Sequence, residues 1–246
     1  MPIKALIKKI LPAAVLTRIR SQRTKREVAN YGKLTPQQVF SKIYAEKVWG
    51  DSKDQEWKFF SGTGSHSEHI VSAYVTAVRS FLSTLSAKPD VVDLGCGDFR
   101  VGSSIRGFCR NYIAADVVPE LIEFNRDKYR TSGVDFRLLD IAQDALPAAD
   151  VAFIRQVFQH LSNDHVLKAL PKIADAYKYL VVTEHVPSVG FEPNLDKPAG
   201  PETRLHLKSG VVLTRPPFNL KVKEECTLCE IQELDGLIRT TLFRLS

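Results

Sequence analysis

The chain has 246 residues, of which 44% are hydrophobic and 25% charged, the balance of a globular protein with a substantial core. Its net charge is +6, from 34 Lys and Arg against 28 Asp and Glu. Residues 1–26 carry eight of the bases and no acid, so the remaining body is slightly acidic and nucleic-acid binding by that body is not indicated.

The cysteines and the apolar runs narrow the class of protein further. Four cysteines in a chain of this length do not indicate a disulfide framework, and the C-x-x-C at Cys226 and Cys229 lacks further zinc ligands at the usual spacing. We therefore expect no bound metal and a reducing environment. No apolar run approaches the roughly 20 residues of a membrane span, which predicts a cytoplasmic protein.

The basic N-terminal segment carries an apolar stripe at helical spacing. The stripe consists of Ile3, Leu6, Ile7, Ile10, Leu11, Ala14 and Val15. Two interpretations remain open: an arm that packs on its own body or on a dimer mate, and a peripheral anchor to anionic membrane through residues 1–26. We divide the chain into a basic amphipathic arm, 1–30, and a catalytic domain, 31–246; the oligomeric state is not indicated.

The segment after the arm predicts two helices separated by a turn-rich loop. Thr35 can cap the first helix, Pro36 suits its first position, and Gln38 completes a capping box. The glycine- and serine-rich loop 60–65 then precedes a second helix, predicted from about Glu68 to Leu85.

From residue 90 onward the pattern is that of an α/β protein. Short β-branched or apolar runs predict strands at 91–94, 112–117, 134–139, 151–154 and 179–183, with helical stretches between most of them. An Asp-Gly turn at 235–236 predicts a closing hairpin of 226–234 with 237–245. We expect a doubly wound, mainly parallel seven-stranded sheet that ends in an antiparallel hairpin. Residues 186–220, with six prolines, predict a long irregular insertion over one end of that sheet.

The first strand runs directly into a glycine-containing turn that can approach a ligand closely. The turn reads Asp93-Leu94-Gly95-Cys96-Gly97-Asp98, and neither glycine carries a Cβ that would hinder that approach. The third glycine of a dinucleotide-binding loop is replaced by Arg100. Because Asp93 and Asp98 would repel a pyrophosphate, a ligand with ammonium and sulfonium cations suits this turn better.

Two further acids follow the next two strands. Asp116 ends the second strand, where an acid accepts both hydroxyls of a ribose in Rossmann-like sheets, and Asp140 ends the third. Because the carboxyl ends of parallel strands share one edge of the sheet, we expect these acids to surround one ligand.

Together these residues resemble class I S-adenosylmethionine-dependent methyltransferases. The resemblance covers about residues 40–245 and is most specific over 90–162. That range includes a fourth strand followed by a helix and a His-Leu pair. Segments 43–50, 61–65 and 214–220 are similar to a bacterial group associated with surface-glycan biosynthesis. The Asn-Pro-Pro-Tyr type signature of DNA and protein-amide methyltransferases is absent after the fourth strand, where Arg155-Gln156 stands.

The resemblance implies S-adenosylmethionine as the cofactor and O-methylation of a small or glycan-like acceptor. The implied cofactor-binding residues are Asp93, Gly95, Cys96, Gly97, Asp116, Val117, Asp140, Ile141, Arg155 and Gln156. Candidates for a general base are His160, Glu184 and His185, the last two just past the fifth strand, and His66 in the N-terminal loop. The alternatives are an RNA or protein methyltransferase and a non-catalytic regulator that binds the cofactor.

Overall fold

A computed structural model describes residues 13–52, 57–233 and 236–245. In this part of the chain the helices are α1 (Ala13–Tyr31), α2 (Pro36–Ala45), α3 (Thr63–His66), α4 (Glu68–Ser83), α5 (Arg100–Ser103), α6 (Pro119–Lys128) and α7 (Asn163–Ala176). The strands are β1 (Val91–Leu94), β2 (Tyr112–Asp116), β3 (Asp135–Leu138), β4 (Val151–Arg155), β5 (Tyr179–Pro187), β6 (Glu224–Glu233) and β7 (Gly236–Arg244). None of the described helices is both long and apolar enough to cross a bilayer.

The seven strands form one mixed sheet in the order β3-β2-β1-β4-β5-β7-β6. The first five strands are parallel, and β7 lies antiparallel between β5 and β6, which confirms the predicted fold class. The strand order reverses between β1 and β4, and ligands bind at such switch points, outside the carboxyl ends of the strands.

Alternate residues of each central strand face two separate hydrophobic layers. On β1, Val92 and Leu94 pack into the layer that includes α7, whereas Val91 packs into the layer that includes α4. Burial on both faces explains why these strands appear in the sequence as short continuous apolar runs. The capping box at Thr35 is present: its hydroxyl accepts from the Gln38 amide, and the Gln38 side chain accepts from the Thr35 amide.

Several boundaries differ from the expectation for identifiable reasons. Between β1 and β2, where the sequence predicts a helical stretch, the helix covers only Arg100–Ser103, because Gly102, Ser103 and Ser104 favour a helix end. A 3-10 turn follows at Arg106–Phe108. The chain after β4 forms a 3-10 turn, Phe158–His160, and a helix begins only at Asn163, where Ser162 is the N-cap.

Strand β5 also differs, because it is longer than expected. It continues to Pro187, since its pairing with β7 extends from Tyr179 opposite Arg244 to Pro187 opposite Gly236. Glu184 and His185 are therefore inside the strand, which corrects their placement just beyond it. Residues 188–223 contain a 3-10 turn at Arg204–Leu207 and otherwise no helix or strand, as expected for the insertion.

Some expectations fall on undescribed parts of the chain. Most of the apolar stripe lies in residues 1–12, outside the described residues, and so does the Asp235 position of the predicted hairpin turn. Helix α1 begins directly after Pro12 and ends at Tyr31, next to the predicted domain boundary.

Candidate functional site

A cavity of about 260 Å³ lies at the carboxyl edge of the sheet, above the point where the strand order reverses. All ten residues predicted to bind the cofactor line it: Asp93, Gly95, Cys96, Gly97, Asp116, Val117, Asp140, Ile141, Arg155 and Gln156. His160 and His185 line it as well, whereas Glu184 is not among its lining residues. The fold thus brings together residues spread over nearly 100 positions of sequence.

The turn after β1 is held against the end of β2 by three hydrogen bonds. The amides of Gly95 and Cys96 donate to the Ala115 carbonyl, at 2.8 and 2.9 Å, and the Gly97 amide donates to Asp116 Oδ2 at 3.0 Å. Both glycines have positive φ, +83° and +57°. A Cβ at Gly95 would lie 2.4 Å from Val157, so the turn depends on glycine for both conformation and space.

The Asp116 carboxylate is buried beneath this turn, and it has more lone pairs than its hydrogen bonds to the protein use. Its Oδ1 accepts from the Val118 amide at 3.2 Å and its Oδ2 from Gly97. Burial raises the pKa of Asp116 to about 6, and these amide hydrogen bonds oppose that rise. A carboxylate has about four lone-pair positions, so each oxygen can also accept a ligand hydroxyl.

Asp93 is the most strongly perturbed acid of the cavity. Burial raises its pKa to about 7, while a hydrogen bond from the Tyr112 hydroxyl at 3.0 Å and the nearby Arg155 charge lower it. Its side chain points to the α4 face, against the apolar layer, so water does not compensate the charge. A ligand cation would stabilise the ionised form.

Asp140 lies two residues beyond the end of β3, because β3 ends at Leu138 and not at residue 139. Its Oδ1 accepts from the Ala142 amide at 2.8 Å, and the carboxylate lines the cavity. Together with Asp93 and Asp116 it gives the lining a carboxylate at the carboxyl end of each of three successive strands, and Asp98 of the glycine turn adds a fourth.

The loop before α3 is held closely over the glycine turn. The Ser61 amide donates to Asp98 Oδ2 at 3.1 Å, and the Asp98 amide donates to Ser61 Oγ at 2.9 Å. His66 Nε2 lies 2.6 Å from the same Asp98 oxygen. The Arg155 guanidinium donates to the Gly64 carbonyl at 2.6 Å and to Ser65 Oγ at 3.0 Å, so Arg155 anchors this loop. His66, one of the candidate bases, is thus engaged with Asp98 outside the cavity lining.

The other half of the cavity is formed by residues to which the sequence assigned no role. None of them carries a charge: Phe40, Tyr44 and Trp49 are aromatic, Gln159 and Thr203 are polar, and Pro201 is apolar. Tyr44 and Trp49 meet edge to face, with ring centroids 5.4 Å apart. The aromatic residues of segment 43–50 were a signal for this half, whereas Pro201 and Thr203 lie in the insertion, which carries no local pattern.

His160 is fully packed at the border of the two halves. Its Nδ1 donates to the Gly200 carbonyl at 3.2 Å, and its Nε2 accepts from the Gln159 side-chain amide at 3.1 Å. Burial lowers the pKa of His160 to about 3, and the Lys197 charge lowers it further. His160 is therefore a neutral ring with both nitrogens engaged.

Glu184 and His185 point to opposite faces of β5. Glu184 is 4% exposed and burial raises its pKa to about 8, so the carboxyl group is largely protonated at neutral pH. His185 lines the cavity, and its Nε2 lies 3.2 Å from the Glu233 carbonyl. Because the carbonyl can only accept, the Nε2 of His185 donates to it.

The described residues contain no cluster of His, Cys, Asp or Glu that could hold a metal ion. Cys226 and Cys229 lie on the edge strand β6, on either side of a bulge.

Comparison with known proteins identifies the fold. Residues 92–178, from β1 to the residue before β5, match the family model described as a methyltransferase domain. No curated protein matches the chain.

Solved structures match a larger part of the chain. The N-methyltransferase NodS from Bradyrhizobium japonicum, in complex with S-adenosylhomocysteine, is 15% identical, with a TM-score of 0.58 over 81% of this chain and 95% of that chain. Magnesium protoporphyrin IX methyltransferase from Synechocystis, with bound S-adenosylmethionine, is 10% identical, with a TM-score of 0.54 over 86% and 98%. The N-terminal domain of EvdMO1 with S-adenosylhomocysteine is 13% identical, with a TM-score of 0.53 over 70% and 81%. The chain therefore has the fold of class I methyltransferases.

The neutral state of His160 predicts a measurable dependence of stability on pH. An unfolded histidine has a pKa near 6.5, so between that value and about 3 the unfolded chain binds a proton that the folded chain does not. The contribution of the neutral His160 ring to the free energy of unfolding is complete above pH 6.5. It is lost as the pH falls, and about 2 kcal/mol of it is gone at pH 5. We expect chemical denaturation at pH 7 and pH 5 to show a smaller loss of stability for His160→Gln than for the unaltered chain. Equal losses in the two proteins would show that His160 is protonated in the folded state.

Proposed function

We propose that this protein transfers the methyl group of S-adenosylmethionine to a hydroxyl group of an uncharged small-molecule or glycan-like acceptor. The protein is an S-adenosylmethionine-dependent methyltransferase, because the matched methyltransferase domain spans β1 to β4. The carboxyl ends of these strands build the half of the cavity that we call the cofactor half. S-adenosylmethionine, when bound, supplies a methyl group already activated by its sulfonium. The chain therefore has to orient the two substrates and exclude water.

The carboxylates of the cavity fit this cofactor. Asp116 would accept the ribose hydroxyls, because both of its oxygens retain lone pairs beside their amide partners. Asp93 would face the cationic end, since a cation stabilises its buried charge. Asp140 and Ile141 would hold the adenine end, on the far side of Asp116 from β1.

Replacement of Asp116 tests the cofactor site. We expect Asp116→Ala to weaken the binding of S-adenosylhomocysteine by about 1.5–3 kcal/mol for each charge-assisted hydrogen bond lost, as measured by calorimetry. Asp135→Ala is the matched control, because Asp135 lies at the opposite end of β3 in an exposed ion pair with Arg137. Unchanged affinity in Asp116→Ala would remove Asp116 from the ribose role.

The uncharged lining of the second half is the observation that carries the acceptor class. Among the described lining residues, Arg155 is the one Lys or Arg side chain, and it donates to Gly64 and Ser65. Lys197 and Arg204 do not line the cavity, and they donate to the carbonyls of Pro198 and of Leu161 and Leu195. In the described part of the chain, the lining of the second half therefore offers no Lys or Arg side chain to an acceptor with a carboxylate or phosphate near the transferred methyl group. Aromatic rings with Gln159 and Thr203 suit an acceptor that offers hydroxyl groups and apolar faces.

Of the catalytic candidates, His185 fits the role of general base best. It lines the cavity on β5, the strand beside β4, and histidine is the side chain most often used as a general base. His160 has a pKa of about 3, too low for a base at neutral pH, and so helps to shape the cavity. Glu184 lies on the other face of β5, where its protonated carboxyl group would have to reach around the strand.

Methyl transfer to an extract tests the acceptor class. The full chain is incubated with methyl-labelled S-adenosylmethionine and an extract of a bacterium, and the labelled material is fractionated. We expect base-stable label in neutral small molecules or glycans, and a 10²–10⁴-fold slower reaction with His185→Gln. Label in RNA or protein would identify that alternative class, and cofactor binding without transfer would indicate a regulator. Either result would overturn the proposed acceptor.

We also propose that the N-terminal segment makes peripheral contact with anionic membrane. Val15 and Ile19 of α1 are 40% and 38% exposed, and Lys25 and Arg26 near its other end are exposed as well. A basic helix with exposed apolar side chains combines the two contributions that hold peripheral helices on anionic lipid.

Co-sedimentation with vesicles tests this contact. Each base near an anionic surface contributes about 1 kcal/mol, so the double substitution Lys25→Gln, Arg26→Gln should weaken binding about 30-fold at low salt. Binding should fall as salt rises and should be absent on neutral phosphatidylcholine vesicles. A full chain that stays in solution with anionic vesicles at low salt would contradict the proposal.

A further inference from the structure

Residues 196–206 of the insertion form a segment that covers the second half of the cavity; we refer to it as the roof segment. Pro201 and Thr203 of this segment line the cavity. Two contacts connect it to the site: the Trp49 indole donates to the Pro201 carbonyl at 3.2 Å, and the Gly200 amide donates to the His160 carbonyl at 3.0 Å. The position of this segment therefore sets the shape of the acceptor space.

Helix α1 reaches this segment through a buried ion pair. Glu27 and Lys197 are each 3% exposed, and Lys197 Nζ lies 3.4 Å from Glu27 Oε1. Burial raises the pKa of Glu27 and lowers that of Lys197, so each charge depends on the other. Such pairs contribute little net stability but are costly to break, because the remaining charge has no partner.

The same carboxylate also holds the backbone of the roof segment. Glu27 Oε1 accepts the Glu202 amide at 3.1 Å, which lies between the two residues of this segment that line the cavity. The backbone of Gly200 approaches so closely that an added Cβ would lie 2.7 Å from Glu27 Oε1. One carboxylate therefore accepts from the amide at one end of the 200–202 stretch, 175 residues away in sequence, and packs against the backbone at its other end.

Nearby contacts on α1 are weaker in kind. Arg23 pairs with Glu202 at 3.7 Å, but the two side chains are 51% and 40% exposed, so water screens the pair. Glu27 is also the first acidic residue of the chain, after eight bases. Glu27 is thus an isolated acid in a basic segment, and its negative charge belongs to the buried contact with Lys197 instead of to a surface of mixed charges.

We infer that Glu27 is a positioning residue for the acceptor half of the active site, and that helix α1 is thereby part of that site. The inference rests on the proposed function, since the covered space is taken to be the acceptor space. Glu27 acts through Lys197 and the Glu202 amide on Pro201 and Thr203, while the cofactor half, built from the carboxyl ends of β1 to β4, does not depend on it.

Three full-length variants, all with Trp57→Phe, separate the elements of this contact. Glu27→Leu removes both the charge and the acceptor and leaves Lys197 unpaired. Glu27→Gln combined with Lys197→Met keeps an acceptor for the Glu202 amide and leaves no buried charge. Arg23→Gln is the matched control, because it removes the exposed partner of the same residue, Glu202. With Trp57 replaced, Trp49 is the sole tryptophan, and its indole contacts Pro201.

The readouts distinguish the roof segment from the cofactor half. In Glu27→Leu we expect amide exchange over residues 198–204 to rise at least about tenfold and the Trp49 emission to shift to the red. Exchange in β1 and β4 and the affinity for S-adenosylhomocysteine should stay within about twofold. The double variant and Arg23→Gln should resemble the Trp57→Phe parent in every measurement.

Three results would overturn the inference. One is unchanged exchange and emission in Glu27→Leu, and another is a double variant as altered as Glu27→Leu. The third is a parallel loss of S-adenosylhomocysteine binding, which would make Glu27 a support of the whole fold. If Glu27→Leu does not fold, the double variant becomes the test of the inference. The inference then requires that the double variant folds and shows the same exchange pattern as the parent. Failure of the parent itself to bind S-adenosylhomocysteine would instead contradict the proposed function.

Discussion

The site depends on one constraint: the glycine turn after β1 must lie against the end of β2. Three amides of the turn donate to two acceptors of β2, the Ala115 carbonyl and the Asp116 carboxylate. The turn positions Asp93 on one side and Asp98 on the other, and Asp98 in turn anchors Ser61 and His66. Without these hydrogen bonds, the buried carboxylate of Asp116 would lose its amide partners, and the loop above it would lose its support.

Two different kinds of interaction hold the two halves of the cavity. The half proposed for the cofactor is built on the parallel strands, with backbone hydrogen bonds and apolar layers on both faces. The half proposed for the acceptor is held by side chains of distant segments on backbone carbonyls and amides, such as Trp49 on Pro201, Glu27 on Glu202 and Arg204 on Leu161. This division separates a half held by the sheet from a half held by contacts between segments that are distant in the chain.

The sequence predicts the first half well and the second half poorly, for a physical reason. The strand ends at Asp93 and Asp116, the glycine turn and the capping box at Thr35 all follow from local patterns of a few residues. The burial of His160 and the contact of Glu27 with Lys197 arise from segments far apart in the chain, and no periodicity records them. The extra length of β5 has the same origin, since its partner strand β7 lies more than 40 residues further on.

The perturbed acid at the end of β1 has a consequence for how the site takes up a charged ligand. Burial raises the pKa of Asp93 to about 7, so this carboxyl group exchanges its proton within the neutral pH range. A cation that binds beside it must displace that proton, so binding and proton release are thermodynamically linked. The occupancy of the cofactor half would then vary with cellular pH even though no histidine takes part. The heat of binding would also depend on the ionisation enthalpy of the buffer.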